Sequence, residues 1–311
     1  MKLRNASLLA LVLAATVSCD RSQDGAKPGS APVTQGGSTD PWNKPEAAAD
    51  TLAKPLFWQL EKDGKTSYLL GTIHIGVDPK RLPPIVYEKL DAAKSFAMET
   101  DLAKASSLDL TRKDGSTLKD ELGPEYWKKL VEALGQQEAM GVNKLKPMIA
   151  ATLLSIRGLP RTTAMDGALE ARAQNKHKQI VFLEPFEVQA AALEKWMNVR
   201  ALKDMLDDVP GTDQRMKELF AAYVAGDGTK MIEIVDGERS RWKAKGRPES
   251  EYDEQMDDML YKRNASWIAP IEKLHADGGG FIAVGAAHAV GPRSVNELLE
   301  QRGFKITRIT P

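Results

Sequence analysis

The chain has 311 residues, 43 basic and 43 acidic side chains for a formal net charge of +0, and one cysteine. Balanced charge provides no global field that would steer the protein to nucleic acid, and one cysteine excludes an internal disulfide framework. Beyond the N-terminal apolar run, no stretch of eighteen or more apolar residues offers a membrane-spanning helix.

Lys2 and Arg4 precede the apolar run Leu8-Leu9-Ala10-Leu11-Val12-Leu13-Ala14-Ala15, and Thr16-Val17-Ser18 then leads to Cys19. A basic start, an apolar run and small residues in that order read as an export signal. The lone Cys19 resembles a bacterial lipoprotein processing site, so residues 1–19 are expected to be a lipoprotein signal peptide whose Cys19 carries the lipid anchor. An ordinary cleaved signal with an incidental Cys19 is the alternative. Asp20 resembles a signal for inner-membrane retention, which suggests an envelope protein, lipid-anchored and facing the periplasm. From Arg21 to Ala49 the chain is rich in Gly, Pro, Ser, Thr, Ala and Gln, without a period that could bury a face, so 20–53 is expected to be a disordered tether. The remaining 54–311, roughly 260 residues, is long enough for a substantial core.

Phe57-Trp58-Gln59-Leu60 and Ser67-Tyr68-Leu69-Leu70 flank Lys62-Asp63-Gly64-Lys65, a hairpin signal. Its second strand ends at Gly71-Thr72-Ile73-His74. Pro83-Pro84 then opens a short helix through Leu90, and Ser95-Phe96-Ala97-Met98 reads as a buried strand with Glu99 at its exit. Helical spacing follows over Glu121 to Leu134, Pro147 to Ile156 and Ala164 to Gln174. Gln179-Ile180-Val181-Phe182-Leu183 is the next strand, again followed by a carboxylate, Glu184, before Pro185 begins a helical tract towards Leu206. A polar helical region spans Asp213 to Ala276. Its acidic run, residues 251–258, reads as a solvated helix face, because it lacks the Gly-centred loop of a calcium site. Gly280-Phe281-Ile282-Ala283-Val284-Gly285 is the last interior strand and delivers His288. A helix over Ser294 to Glu300 and a strand over Gly303 to Ile309 close the chain. The alternation implies an α/β fold, with a mixed central sheet, flanking helices and a largely helical middle insertion.

Loops beyond strand ends are where such folds place chemistry. Two Gly-x-x-His segments, Gly71 to His74 and Gly285 to His288, each follow a strand, and Glu99 and Glu184 follow two more. Imidazole and carboxylate can hold a divalent ion while leaving a position for water, a further carboxylate can move the proton, and Gly71 and Gly285 permit close backbone approach. On its own the motif leaves three readings open: metal ligands, hydrogen-bonded packing histidines, or another catalytic role. His177 lies between lysines and is expected to be exposed, and His275 near a helix end is expected to be a local cap.

Several segments together resemble the TraB/GumN family, whose relatives include metal-dependent proteases. They are Tyr68 to Gly76, Leu82-Pro83-Pro84, Ala97-Met98-Glu99, Met165-Asp166-Gly167-Ala168-Leu169, Val181 to Glu184 with Gln189, Arg263-Asn264 with Trp267, and Phe281 to Pro292. The resemblance runs from about Phe57 to Ile309. It implies His74, His288 and Glu99 as metal ligands, with Glu99, Glu184, Arg263, Asn264 and Asp166 as catalytic candidates, Arg263 and Asn264 holding a substrate carboxylate or an oxyanion. Met98 and Ala97 replace the more usual aliphatics before the acid, and Pro185 follows Glu184 where Thr is common.

The implied activity is metal-dependent hydrolysis, foremost of a peptide or protein amide bond by metal-activated water. The cofactor is a divalent ion, with Mn²⁺, Co²⁺ and Zn²⁺ all compatible with N/O ligands. The partners expected are a peptide substrate and, through Cys19, the membrane; the oligomeric state is left open. The chain contains neither His-Glu-x-x-His nor Gly-x-Ser-x-Gly, which sets it apart from zincins and from serine hydrolases with a nucleophile elbow. Two other readings remain: a hydrolase of a small-molecule ester or lactone, and a noncatalytic envelope binding or signalling lipoprotein.

Overall fold

Asp63 and Gly64 adopt φ of 51° and 71°, the left-handed pair that a two-residue hairpin turn requires. They join β1 (Phe57–Lys62) to β2 (Lys65–Thr72) in the expected hairpin. The computed structural model containing them describes residues 51–311. The expected export signal, Cys19 and the tether as far as residue 50 lie outside the described residues. Leu52 is 2 % exposed and donates its N–H to Arg81 O at 2.8 Å, so core packing starts ahead of the boundary expected at residue 54. Among the described residues no helix is long and apolar enough to cross a membrane.

After the hairpin come α1 (Pro84–Ala92), begun by the Pro pair, and β3 (Ser95–Met98). Four helices follow: α2 (Leu118–Leu134), bent at Gly123-Pro124, α3 (Gln136–Val142), α4 (Pro147–Ile156) and α5 (Met165–Asn175). The edge strand β4 (Gln179–Phe182) leads to α6 (Phe186–Trp196), α7 (Val199–Leu206), α8 (Val209–Ala225), α9 (Gly228–Ala244) and α10 (Glu249–Met256). A π-helical turn over Asp257–Tyr261 joins α10 to α11 (Lys262–Ala276). The chain ends with β5 (Phe281–Gly285), the one-turn α12 (Ala286–Ala289), α13 (Val295–Gln301) and β6 (Lys305–Arg308).

The strands form one six-stranded sheet in the order β4-β3-β5-β2-β1-β6. β2, β5, β3 and β4 are parallel, and β1 is antiparallel to both its neighbours, which gives the expected mixed α/β architecture. Successive residues face opposite layers. Phe57, Leu70, Phe96 and Phe281 pack on one side with Leu90 of α1 and Leu169 of α5. Leu60, Leu69, Ile282 and Val284 pack on the other with Trp267 and Ile271 of α11 and Leu299 of α13. The helices after β3 and β4 bury a core of their own around Leu118, Leu130, Ile149, Leu154 and Leu202.

Three local expectations are corrected. The helical tract from Pro185 to Leu206 breaks at Met197-Asn198, because the Asn198 side chain accepts the Ala201 N–H at 3.1 Å and starts a new helix. His275 is no local cap: its Nδ1 shares a hydrogen bond with Ser67 Oγ at 2.8 Å and its Nε2 one with Lys62 O at 3.0 Å, which ties α11 to the hairpin. The acidic run is only partly a solvated face. Glu251, Asp253 and Glu254 sit in ion pairs, whereas Tyr252 is buried and the run ends inside the π turn. His177 is exposed, as expected.

Phe281 is fully buried between the rings of Phe57 at 5.7 Å and Phe96 at 6.1 Å. Phe281→Ala is therefore expected to destabilise the fold by about 3–5 kcal/mol, read as a lowered midpoint with unchanged slope in urea unfolding.

Candidate active site

The register of the parallel strands brings their exits to one edge. Thr72 of β2 pairs with Gly285 of β5, and Met98 of β3 lies beside Ala283 of β5 and Phe182 of β4. His74, His288, Glu99 and Glu184 follow within three residues of those ends and so meet in space. The loop after β2 is pinned where Met165 N–H donates to His74 O at 3.1 Å. Gly71 lets the chain pass close to α12, since a Cβ there would stand 3.2 Å from the Cα of Ala286, a tight contact with backbone.

Each histidine is held from behind. His74 Nδ1 lies 2.8 Å from Asp166 Oδ2, while Asp166 Oδ1 accepts from Thr72 Oγ1 at 2.7 Å. A carboxylate oxygen accepts, so His74 carries its proton on Nδ1 and turns Nε2 away from Asp166. His288 Nδ1 lies 2.6 Å from Asn264 Oδ1. The Asn264 amide nitrogen donates to Arg293 O at 2.9 Å, which fixes its oxygen towards the ring and the proton on His288 Nδ1. Asp166 and Asn264 are thus ring anchors. The oxyanion or substrate-binding role expected of Asn264 is replaced by this one, because both ends of its amide are engaged inside the protein.

Glu99 is 6 % exposed, with a partner on each oxygen and a lone pair left on Oε1. Its Oε1 accepts the Gly285 N–H at 2.7 Å, and its Oε2 accepts from Gln189 Nε2 and from Arg263 Nη2, both at 2.9 Å. Arg263 also bonds Glu184, from Nε at 2.9 and 3.1 Å and from Nη2 at 2.6 Å, and its Nη1 donates to Met259 O at 2.9 Å. Trp267 Nε1 adds a bond to Glu184 Oε2 at 3.2 Å.

Burial alone would raise Glu99, but the Arg263 guanidinium, His74 and the Gly285 N–H hold it well below the usual carboxylate range. Burial drives His288 down to about 3, so its ring is neutral. Asp166, with help from Glu99, lifts His74 above its ordinary value, although its side chain is 62 % exposed to the cleft and water there tempers the attraction. Burial and the charge of Glu99 raise Glu184 against the pull of Arg263.

His74, Glu99, Arg263 and His288 form part of the wall of a cavity of about 460 Å³. Glu184 faces a second recess, of about 540 Å³, whose wall it shares with Arg263. It therefore lies behind the arginine, where it supports Arg263, and not in the cleft where a proton-moving group was expected. Gln189 and Thr72 join the site although neither was a candidate. Gln189 stood among the residues that carry the family resemblance, and it is also a polar residue on the inward side of α6, among Phe186, Ala190 and Leu193.

The resemblance implies a divalent ion. Gly285 is the place to test the fit: a Cβ built there would lie 3.2 Å from Glu99 Oε1, 3.6 Å from His74 Nε2 and 3.6 Å from His288 Cδ2. Two imidazoles with their Nδ1 protons anchored and one ionised carboxylate therefore surround a side-chain-free space, and that donor set suits a divalent ion. Among the described residues no group of three His, Cys, Asp or Glu side chains stands at ion-holding spacing as folded. The Arg263 Nη1, 3.3 Å from His288 Nε2, fills the coordinating position of that ring. The chemistry of the donors fits, on the condition that Arg263 releases His288.

The TraB/PrgY/gumN family model matches residues 56–308. No curated protein and no solved structure matches the chain.

Removal of the guanidinium would leave Glu99 and Glu184 buried and facing each other. Arg263→Met is expected to cost about 3–5 kcal/mol in urea unfolding, and Glu99→Gln with Glu184→Gln in the same chain is expected to recover most of that loss.

Proposed function

The chain belongs to the TraB/PrgY/gumN family, and from that premise we propose that it is a divalent-metal-dependent hydrolase that cleaves an amide bond. The observation that carries this reading is the pair of imidazoles, anchored at Nδ1 by Asp166 and Asn264, beside Glu99 around the bare Cα of Gly285. His74, His288 and Glu99 would hold the ion, which supplies Lewis-acid polarisation of the carbonyl and a water of lowered pKa.

The chain's own residues do the rest. Asp166 and Asn264 fix the proton on each Nδ1, so Nε2 is the nitrogen each ring would offer the ion; His288 is neutral there, whereas His74, with its raised pKa, would give up its Nε2 proton on binding. Glu99, held ionised through the neutral range, accepts the proton of the attacking water and returns it to the leaving nitrogen. Arg263 is kept cationic by Glu99 and Glu184, and its Nη1 is the donor nearest to where negative charge develops. A substrate that fills the apolar cleft would displace the water that reaches His74 and so strengthen these interactions. With Cys19 as lipid anchor, the site would work at the bacterial envelope, facing the periplasm.

In the test, metal content and hydrolysis of short peptides and simple N-acyl amides are measured for the full chain and for His74→Ala and His288→Ala. Loss of ion and turnover together in both folded variants is expected. Turnover that persists in chelator would overturn the metal-dependent reading, and bound ion without turnover of any amide would point to a binding protein.

Two graded variants sharpen the test. Asp166→Ala is expected to weaken ion binding by about 10–100-fold through loss of the His74 anchor, measured by competition with a chelating dye. Gly285 has φ −53° and ψ 139°, which alanine adopts freely. Gly285→Ala should therefore keep the unfolding midpoint within about 1 kcal/mol while ion binding falls, as measured by calorimetry.

A further inference from the structure

The helices between β3 and β5 roof the cleft, and the side chains they place there are overwhelmingly aliphatic or thioether: Ile156 of α4, Met197 at the end of α6, Met216 and Leu219 of α8, and Met259 of the π turn among them. Apart from Asp166, Gln189 and Arg263, which belong to the centre, the polar side chains these helices contribute among the described residues are Thr152, Asp236 and Tyr261. The Thr152 hydroxyl is already spent on Met148 O at 2.8 Å.

This wall discriminates between two kinds of apolar guest. A peptide brings an N–H and a C=O with every residue, and each needs a partner once buried. Helix-interior backbone groups are already paired along the helix, so beyond the centre a buried peptide backbone would find only the Asp236 carboxylate and the Tyr261 and Thr100 hydroxyls in the wall, too few for an N–H and a C=O from every residue. An unbranched hydrocarbon chain has no such groups to strand, and flexible methionines mould to it at little cost. The cavity volume of about 460 Å³ lies within the range of small-molecule sites, and the wall runs continuously to His74, Glu99 and Arg263.

We propose that the cleft is an acyl-chain site and that the substrate is an amide whose acyl side carries a long aliphatic chain. This rests on the hydrolase reading above and narrows its substrate. The carbonyl sits at Glu99 and Arg263 with the chain under the helical roof. Water adds to the carbonyl carbon, the C–N bond breaks, the oxygen stays in a fatty carboxylate, and the amine leaves with the proton that water supplied.

The test separates binding from turnover. Saturated fatty acids from six to sixteen carbons, below their micellar concentrations, are titrated into the full chain by displacement of a fluorescent fatty acid. Affinity is expected to rise about fourfold per added methylene until the cleft is filled. Ile156→Trp, an apolar filling change, should move the plateau to shorter chains, and Met216→Glu should flatten the series. N-acyl amides of the same lengths should follow the same order in kcat/KM. An affinity independent of chain length, or an apolar pentapeptide amide bound as tightly as a fatty acid of equal apolar area, would overturn the proposal. A rising binding series without turnover of any amide would uphold the chain site and sink the hydrolase reading instead.

Discussion

A single buried guanidinium holds the strand ends together. Arg263, 5 % exposed, reaches from α11 to the carboxylates that follow β3 and β4, with Nη2 2.9 Å from Glu99 and 2.6 Å from Glu184. Two carboxylates so close and so poorly solvated could not both stay ionised without it. The arrangement also explains why the two acids differ. Glu99 receives the arginine, a glutamine and a backbone N–H and is pulled down, whereas Glu184, with the arginine and Trp267, remains raised by burial and by its neighbour. The pair is a means of positioning, since buried ion pairs are poor sources of net stability.

Arg263 owes its aim to an irregularity in the helix. The π turn over Asp257–Tyr261 spaces the backbone bond from Lys262 N–H to Asp257 O five residues apart, and the Met259 carbonyl accepts Arg263 Nη1 at 2.9 Å. A regular α-helix through this segment would turn Arg263 by a quarter turn or more relative to α10. Such turns concentrate at functional sites, and here the distortion also carries Met256, Met259 and Leu260 into the cleft wall. One local feature thus sets the arginine and part of the apolar roof.

The strands were legible because period and punctuation are local. Asp63-Gly64 demanded a hairpin, and the runs ending at Gly71, Met98, Leu183 and Gly285 were short, apolar and bounded by turn residues. The four polar groups at their ends could be named as candidates for the same reason. Their roles could not. Whether Asp166 reaches its substrate or a histidine ring depends on a contact between residues 92 apart, and the choice for Asn264 depends on Arg293 O, supplied by the loop before α13. The Met197-Asn198 break and the π turn escaped notice because apolar spacing on either side continues at a helical period while hydrogen bonding changes underneath. His275 looked like a cap because its partners, Ser67 and Lys62, lie more than two hundred positions away.

His288 has one available lone pair and two claims upon it. Its Nδ1 proton is committed to Asn264, so Nε2 alone faces the cleft, and Arg263 Nη1 stands 3.3 Å from it. That contact is long for a hydrogen bond to nitrogen and is the weakest one Arg263 makes here, whereas its bonds to Glu99, Glu184 and Met259 are all 2.9 Å or shorter at their closest. Loss of that contact would cost Arg263 less than loss of any of the others. The centre can therefore exchange a guanidinium hydrogen bond for a ligand bond without dismantling its frame, and the same donor would remain beside the carbonyl to meet the charge that develops there.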